Sequence, residues 1–179
     1  MIAKVISLLI AQAGPALPVC GPTAFVTYRE GAPVDRIAVE NLSQDDWSIT
    51  SVEIALAGSA GNLVFDTLPG GQGLNSAQPF RAGPRSGQAE ARLAAIPDLG
   101  DGDEQLTLDF KVFPPAARFW FSTDLDVMAI GRGSTILDPS DIAGATVSVT
   151  FEHARGGEET HIGAFDTRAT ARPAAPCLS

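Results

Sequence analysis

The feature that most constrains this chain is strict two-residue alternation, repeated along its length. In "EQLTLDFKVF", residues 104–113, Leu106, Leu108, Phe110 and Val112 fall on one side, and Thr107, Asp109 and Lys111 on the other. Successive side chains of a strand point to opposite faces, so this pattern buries one face of a sheet. It returns in "AFVTYRE" (24–30), "DRIAVEN" (35–41), "WSITSVEIALAG" (47–58) and "NLVFDT" (62–67). It continues in "RFWFSTDLDV" (118–127), "ATVSVTFEH" (145–153) and "THIGAFDTRATAR" (160–172). No long stretch carries helical periodicity. The 18 glycines and 13 prolines punctuate the runs and break helices. The expected fold is all-β: an antiparallel β-sandwich, immunoglobulin-like or jelly-roll-like, of about 8–9 strands. One domain is expected over residues 20–179, with a long irregular segment at 68–103. Within that segment, residues 84–96 read equally as a turn or two of helix or as an edge strand.

Residues 1–13, "MIAKVISLLIAQA", read as a signal peptide: Lys4, a short apolar run, then the small-x-small Ala11-Gln12-Ala13, with cleavage near Ala13/Gly14. The run is far shorter than the ~20 apolar residues of a membrane-spanning helix, so no membrane span is expected. The expected location is secreted or periplasmic. Cysteine usage agrees with export. The two cysteines, Cys20 and Cys177, lie at opposite ends of the domain, and in an oxidising compartment they invite a disulfide that staples the termini.

The chain carries 12 Lys+Arg against 21 Asp+Glu, a net charge of −9. That sign opposes both a nucleic acid and an anionic membrane surface. It suits solubility, a divalent cation or a basic partner.

The residues that most resemble a site lie in "STDLDV". Asp124 and Asp126 share one face of a strand, with Cβ atoms roughly 6.5–7 Å apart. Three readings stay open: a cation site, a catalytic pair, or solvated charges that block edge pairing. Calcium wants six to eight oxygens, so the cation reading adds Asp138 and Asp141 from "LDPSD". The catalytic reading is a hydrolase using paired carboxylates across a sugar cleft. Trp120 falls on the same strand face and is the candidate contact for a sugar or a partner. Asp66 in "VFDT" and Asp166 in "AFDT" occupy similar strand ends. His153 and His161, with Glu152 and Glu159, form a weaker zinc alternative across the final hairpin. There is no Gly-x-Ser-x-Gly elbow, no His-Glu-x-x-His pair, no phosphate loop and no dinucleotide fingerprint. No enzyme activity is therefore expected. Asn41-Leu42-Ser43 fits the glycosylation sequon.

The segments "YREGAPVDRIAVEN", "SVEIALAGSAGNLVFDT", "FWFSTDLDV…DIAGATVSVTF" and "GAFDT…C" together resemble a group of exported bacterial proteins called aggregation factor core, after their similarity to the core of sponge aggregation factors. The resemblance covers roughly Tyr28 to Cys177. It implies an extracellular, non-enzymatic adhesion or matrix module, calcium-associated, with a protein or glycan partner at the cell surface or with self-association. A carbohydrate- or calcium-binding accessory module of a secreted system is the alternative.

Overall fold

The computed structural model describes residues 19–31, 34–73, 77–83, 90–127 and 136–178. The expected leader at 1–13 lies outside them. The strands in chain order are β1 (Val19–Cys20), β2 (Ala24–Arg29), β3 (Asp35–Asn41), β4 (Trp47–Ala55), β5 (Leu63–Asp66), β6 (Arg81–Ala82) and β7 (Arg92–Leu93). They continue with β8 (Gln105–Val112), β9 (Arg118–Val127), β10 (Thr146–His153), β11 (Glu158–Ala164), β12 (Thr170–Ala171) and β13 (Cys177–Leu178). Eight of these have four residues or more, in agreement with the expected number. The remaining five are two-residue pieces. Of residues 84–96, the stretch 84–89 lies outside the described residues, and within 90–96 Arg92–Leu93 form a short edge strand on β8.

Two antiparallel sheets pack face to face as a β-sandwich. One runs β11-β10-β4-β8-β7; the other runs β12-β2-β3-β9-β5, with β6 also on β9. The alternation read in β8 is realised residue by residue. Leu106, Leu108 and Phe110 are buried, while Gln105, Thr107, Asp109 and Lys111 are exposed. From the facing sheet, Val26, Ile37, Val39, Phe119, Phe121 and Leu125 enter the same core. No helix of the described residues is long and apolar enough to cross a membrane.

The amide of Asn41 ties the two sheets together at one end. Its Nδ2 donates to the carbonyls of Trp47 at 2.9 Å and Phe113 at 3.0 Å, and its Oδ1 accepts from the Ser43 N–H at 3.1 Å. The residue is 0% exposed, so the folded chain does not offer the Asn41 amide as a glycosylation acceptor, and the sequon has a packing role. Asn41→Ala removes the side-chain partner of the buried Ser43 N–H and of the Trp47 carbonyl, while the Phe113 carbonyl keeps the Ile49 N–H. At about 1–3 kcal/mol for each orphaned group, a loss of roughly 2 kcal/mol or more is expected in the stability read by urea unfolding.

The two chain ends form one ladder. Val19 pairs with Leu178 and Cys20 with Cys177. In the same register Thr23 bridges Ala174, and Val26 and Thr27 pair with Ala171 and Thr170. Pro22, Pro173 and Pro176 lie in this stretch and cannot donate to the ladder, which divides it into short strands.

Candidate functional site

Strand β9 departs from simple alternation, and the departure makes the site. Residues 121–126 are all buried, on both faces. One flank of the strand is paired with β3, the other with β6 and then β5. Its outer side is covered by the chain that follows β5. Gln78 accepts from the Asp124 N–H at 3.1 Å and from Thr123 Oγ1 at 3.1 Å, and its own N–H returns to the Asp66 carbonyl at 3.1 Å. Asp124 and Asp126 are therefore 8% and 0% exposed. The reading of them as solvated strand-end charges is overturned. Gln78, in segment 68–103, supplies these contacts.

The register of β5 on β9 sets Asp66 directly opposite Asp124, and Val64 opposite Asp126. Asp66 is 2% exposed, and its Oδ1 is buried without a hydrogen-bond partner. Asp66 shares a hydrogen bond with Asp101. Asp101 is held as an anion by three backbone donors: Thr67 and Leu68 N–H on Oδ1 at 3.0 and 3.1 Å, and Gln72 N–H on Oδ2 at 2.7 Å. These donors lower its pKa despite some desolvation. The glycine loop closes on both acids. A Cβ on Gly73 would stand 2.2 Å from Asp66 Oδ2, and one on Gly71 would stand 2.1 Å from Asp101 Oδ2.

Like charges held out of water resist ionisation. Burial, then the Asp101 hydrogen bond and charge, push Asp66 up to about 6. Burial, then the charges of Asp66, Asp126 and Glu30, push Asp124 up to about 7. A second acidic knot lies on the other side of β9. Asp35 Oδ2 accepts from Leu125 N–H at 3.0 Å and meets Tyr28 Oη at 3.1 Å, while its Oδ1 accepts from Gly31 N–H at 3.0 Å. Tyr28 Oη also stands 2.8 Å from Glu30 Oε2. The single phenolic hydrogen is therefore shared between two carboxylates. Burial first, and the Glu30 charge second, raise Asp35 to about 8; burial likewise drives the Tyr28 pKa upward.

The expected partners Asp138 and Asp141 do not join this cluster. Asp141 Oδ2 accepts from the Asp138 N–H at 2.8 Å, and Asp138 Oδ1 accepts from the Ser140 N–H and hydroxyl at 2.9 and 2.8 Å. Their carboxylates close their own exposed turn. That turn packs through the Asp141 carbonyl on Gly61, before β5 begins. Among the described residues no three His, Cys, Asp or Glu side chains stand in a geometry that already holds a metal ion. Drawing Asp66, Asp101, Asp124 and Asp126 around one ion requires rotation of their side chains.

Trp120 is half-buried, and its ring is already occupied. The Arg36 guanidinium stacks 4.3 Å from the ring centroid. Gly83 donates to the Trp120 carbonyl at 2.8 Å and lies so close that a Cβ there would be 2.1 Å from Cε2. The indole is a packed element under β6 and not an open sugar platform. The histidines are apart: His161 pairs in register with Val149 and bonds Glu159 at 2.8 Å, while His153 pairs with Trp47. Asp166 also stays outside the cluster, capping its own turn through Arg168 and Thr170, which holds its pKa at about 2.

Sequence reasoning named Asp124 and Asp126 and passed over Asp35 and Asp101. The missed signal for Asp101 is its place in "GDGD", where glycines let a loop fold back onto a carboxylate. No protein-family model, no curated protein and no solved structure matches this chain.

Proposed function

We propose that this chain is an exported, non-enzymatic β-sandwich module that binds a divalent cation, calcium by its all-oxygen donors, at the β5–β9 end. One observation carries the reading: the buried, partnerless Oδ1 of Asp66, on a residue directly opposite Asp124 in the β5–β9 ladder and close enough to feel the charges of Asp101 and Asp126. An isolated buried carboxylate oxygen is costly unless it is hydrogen-bonded, protonated or bound to a cation. A hard cation takes several such oxygens at once, and the loop carbonyls and water complete its shell. Burial of Asp124 and Asp126 denies a polymer access to the pair, which disfavours the paired-carboxylate hydrolase.

Export in this reading comes with a Cys20–Cys177 disulfide. Support comes from their direct opposition in an antiparallel ladder. Opposed residues there have Cα atoms about 4.5–5.5 Å apart, inside the range a disulfide spans. No free cysteine occurs among the described residues. The partner is a protein or glycan at the cell surface, as the resemblance to aggregation factor core proteins suggests.

The test is thermal unfolding of the oxidised chain at pH 8 with excess calcium, then with chelator. A hundredfold excess over Kd adds about 2.7 kcal/mol, which moves the midpoint by roughly 5–10 °C for a domain of this size. Asp124→Asn/Asp126→Asn removes the shift. No shift in the parent chain, or one that survives in the double variant, sinks the cation reading.

A further inference from the structure

Two grooves of opposite charge lie side by side on the β7–β8 edge of the sandwich. The first, about 390 Å³, is lined by Arg92, Lys111 and Arg118 over an apolar floor of Leu93, Phe119 and Trp120. Among the described residues Glu90 is the one carboxylate in its wall. The second, about 560 Å³, is lined by Asp98, Asp103, Glu104 and Asp109 and holds no basic residue among the described residues. Ile96 lines both, and it is 70% exposed. The outer face of β8 runs across the same divide: Thr107 and Asp109 face the acidic groove, and Lys111, two residues on, faces the basic one. Arg118 is also held by Glu40 at 3.3 Å. Arg92 and Lys111 make no ion pair among the described residues.

Adjacent patches of opposite sign with an exposed apolar residue between them are self-complementary under two-fold rotation. An isologous interface presents one surface to its own copy, so each basic groove meets the other copy's acidic groove. We propose that this edge is a docking surface for a second copy of the chain, forming a closed dimer with the Ile96 side chains near the two-fold axis. Among candidate occupants the second copy is favoured because it alone supplies both complementary charges in the required order. Complementary potentials fix register and suppress other arrangements. The dimer stands independently of the cation site and forms in chelator.

The measurement is the mass of the full, oxidised chain by sedimentation equilibrium, in chelator, across a concentration series at 0.05 M and 1 M NaCl. A dimer at low salt is expected, with self-association at least tenfold weaker at 1 M, where the Debye length falls to about 3 Å. Arg92→Glu/Lys111→Glu makes both grooves acidic and gives a monomer; Asp98→Lys/Glu104→Lys/Asp109→Lys sets three lysines against Asp103, makes both basic and does the same. Mixed one to one, the two variants restore a heterodimer, which also shows that both are folded. A wild-type chain that stays monomeric at low salt overturns the proposal. So does a dimer that survives Arg92→Glu/Lys111→Glu, a mixture of natively folded variants that fails to pair, or growth beyond two copies.

Discussion

In chelator, the stability of this domain is expected to fall as pH rises from about 4 to about 8, by several kcal/mol in total. The sign follows from the carboxyl groups around β9. Asp66, Asp124 and Asp35 have folded-state pKa values raised to about 6, 7 and 8, against an ordinary value of 3.8. Groups raised in this way favour the fold while protonated. Their contribution is full below pH 3.8 and is lost as each ionises in the folded state. Each tenfold change in proton affinity is worth about 1.4 kcal/mol. A loss of this kind is a large part of the roughly 5–15 kcal/mol that holds a domain together. Asp101 and Asp166, whose values are lowered, act in the opposite sense below about pH 4. The optimum therefore falls near pH 4–5 without a cation. On the proposed cation reading, calcium stabilises the ionised carboxylates, so its expected stabilising effect grows toward pH 8 and the decline flattens. Urea midpoints across pH 3–9, with and without calcium, read this directly. A flat profile in chelator would show that the buried acids are ionised at no cost, and the electrostatic account would fail.

Loss of the proposed Cys20–Cys177 bridge is expected to have the next largest effect. The loop it closes spans almost the whole domain, and the chain-entropy relation gives about 5 kcal/mol for a loop of that length. The strands it joins, β1 and β13, have two residues each and pair only with one another. So small an isolated pair has no independent stability. With Cys20→Ser/Cys177→Ser, or with reductant, this end of the ladder opens first. Fraying then reaches β12, which is held by its two-residue pairing to β2. Amide exchange should show lost protection over 19–28 and 169–178 with β8–β10 unaffected, together with a lower unfolding midpoint. Two free thiols in the non-reduced chain, by thiol titration, would refute the bridge.

Most of the fold was legible in residue order because a sandwich strand is half-buried by construction. In β8 and β10, alternation of apolar and polar residues reports burial directly, and the two glycines of "ARGGEE", Gly156 and Gly157, take the positive φ that the last hairpin needs. Cysteine placement and charge likewise depend on sequence alone. The site was legible only in part. Asp124 and Asp126 stand out as carboxylates in an apolar run, but sequence places them in solvent, because alternation assumes that one face of every strand is wet. In β9 the pairing with β5 and the main-chain contacts of Gln78 close around that end of the strand, and both are buried. Asp66 meets Asp124 through the β5–β9 register, and Asp101 meets Asp66 through a loop closure 34 residues long between Thr67 and Asp101. Local sequence shows which residues can form strands. Strand pairing and loop packing over long separations decided which carboxylates share a desolvated space, because electrostatic coupling depends on distance and burial, not on order along the chain.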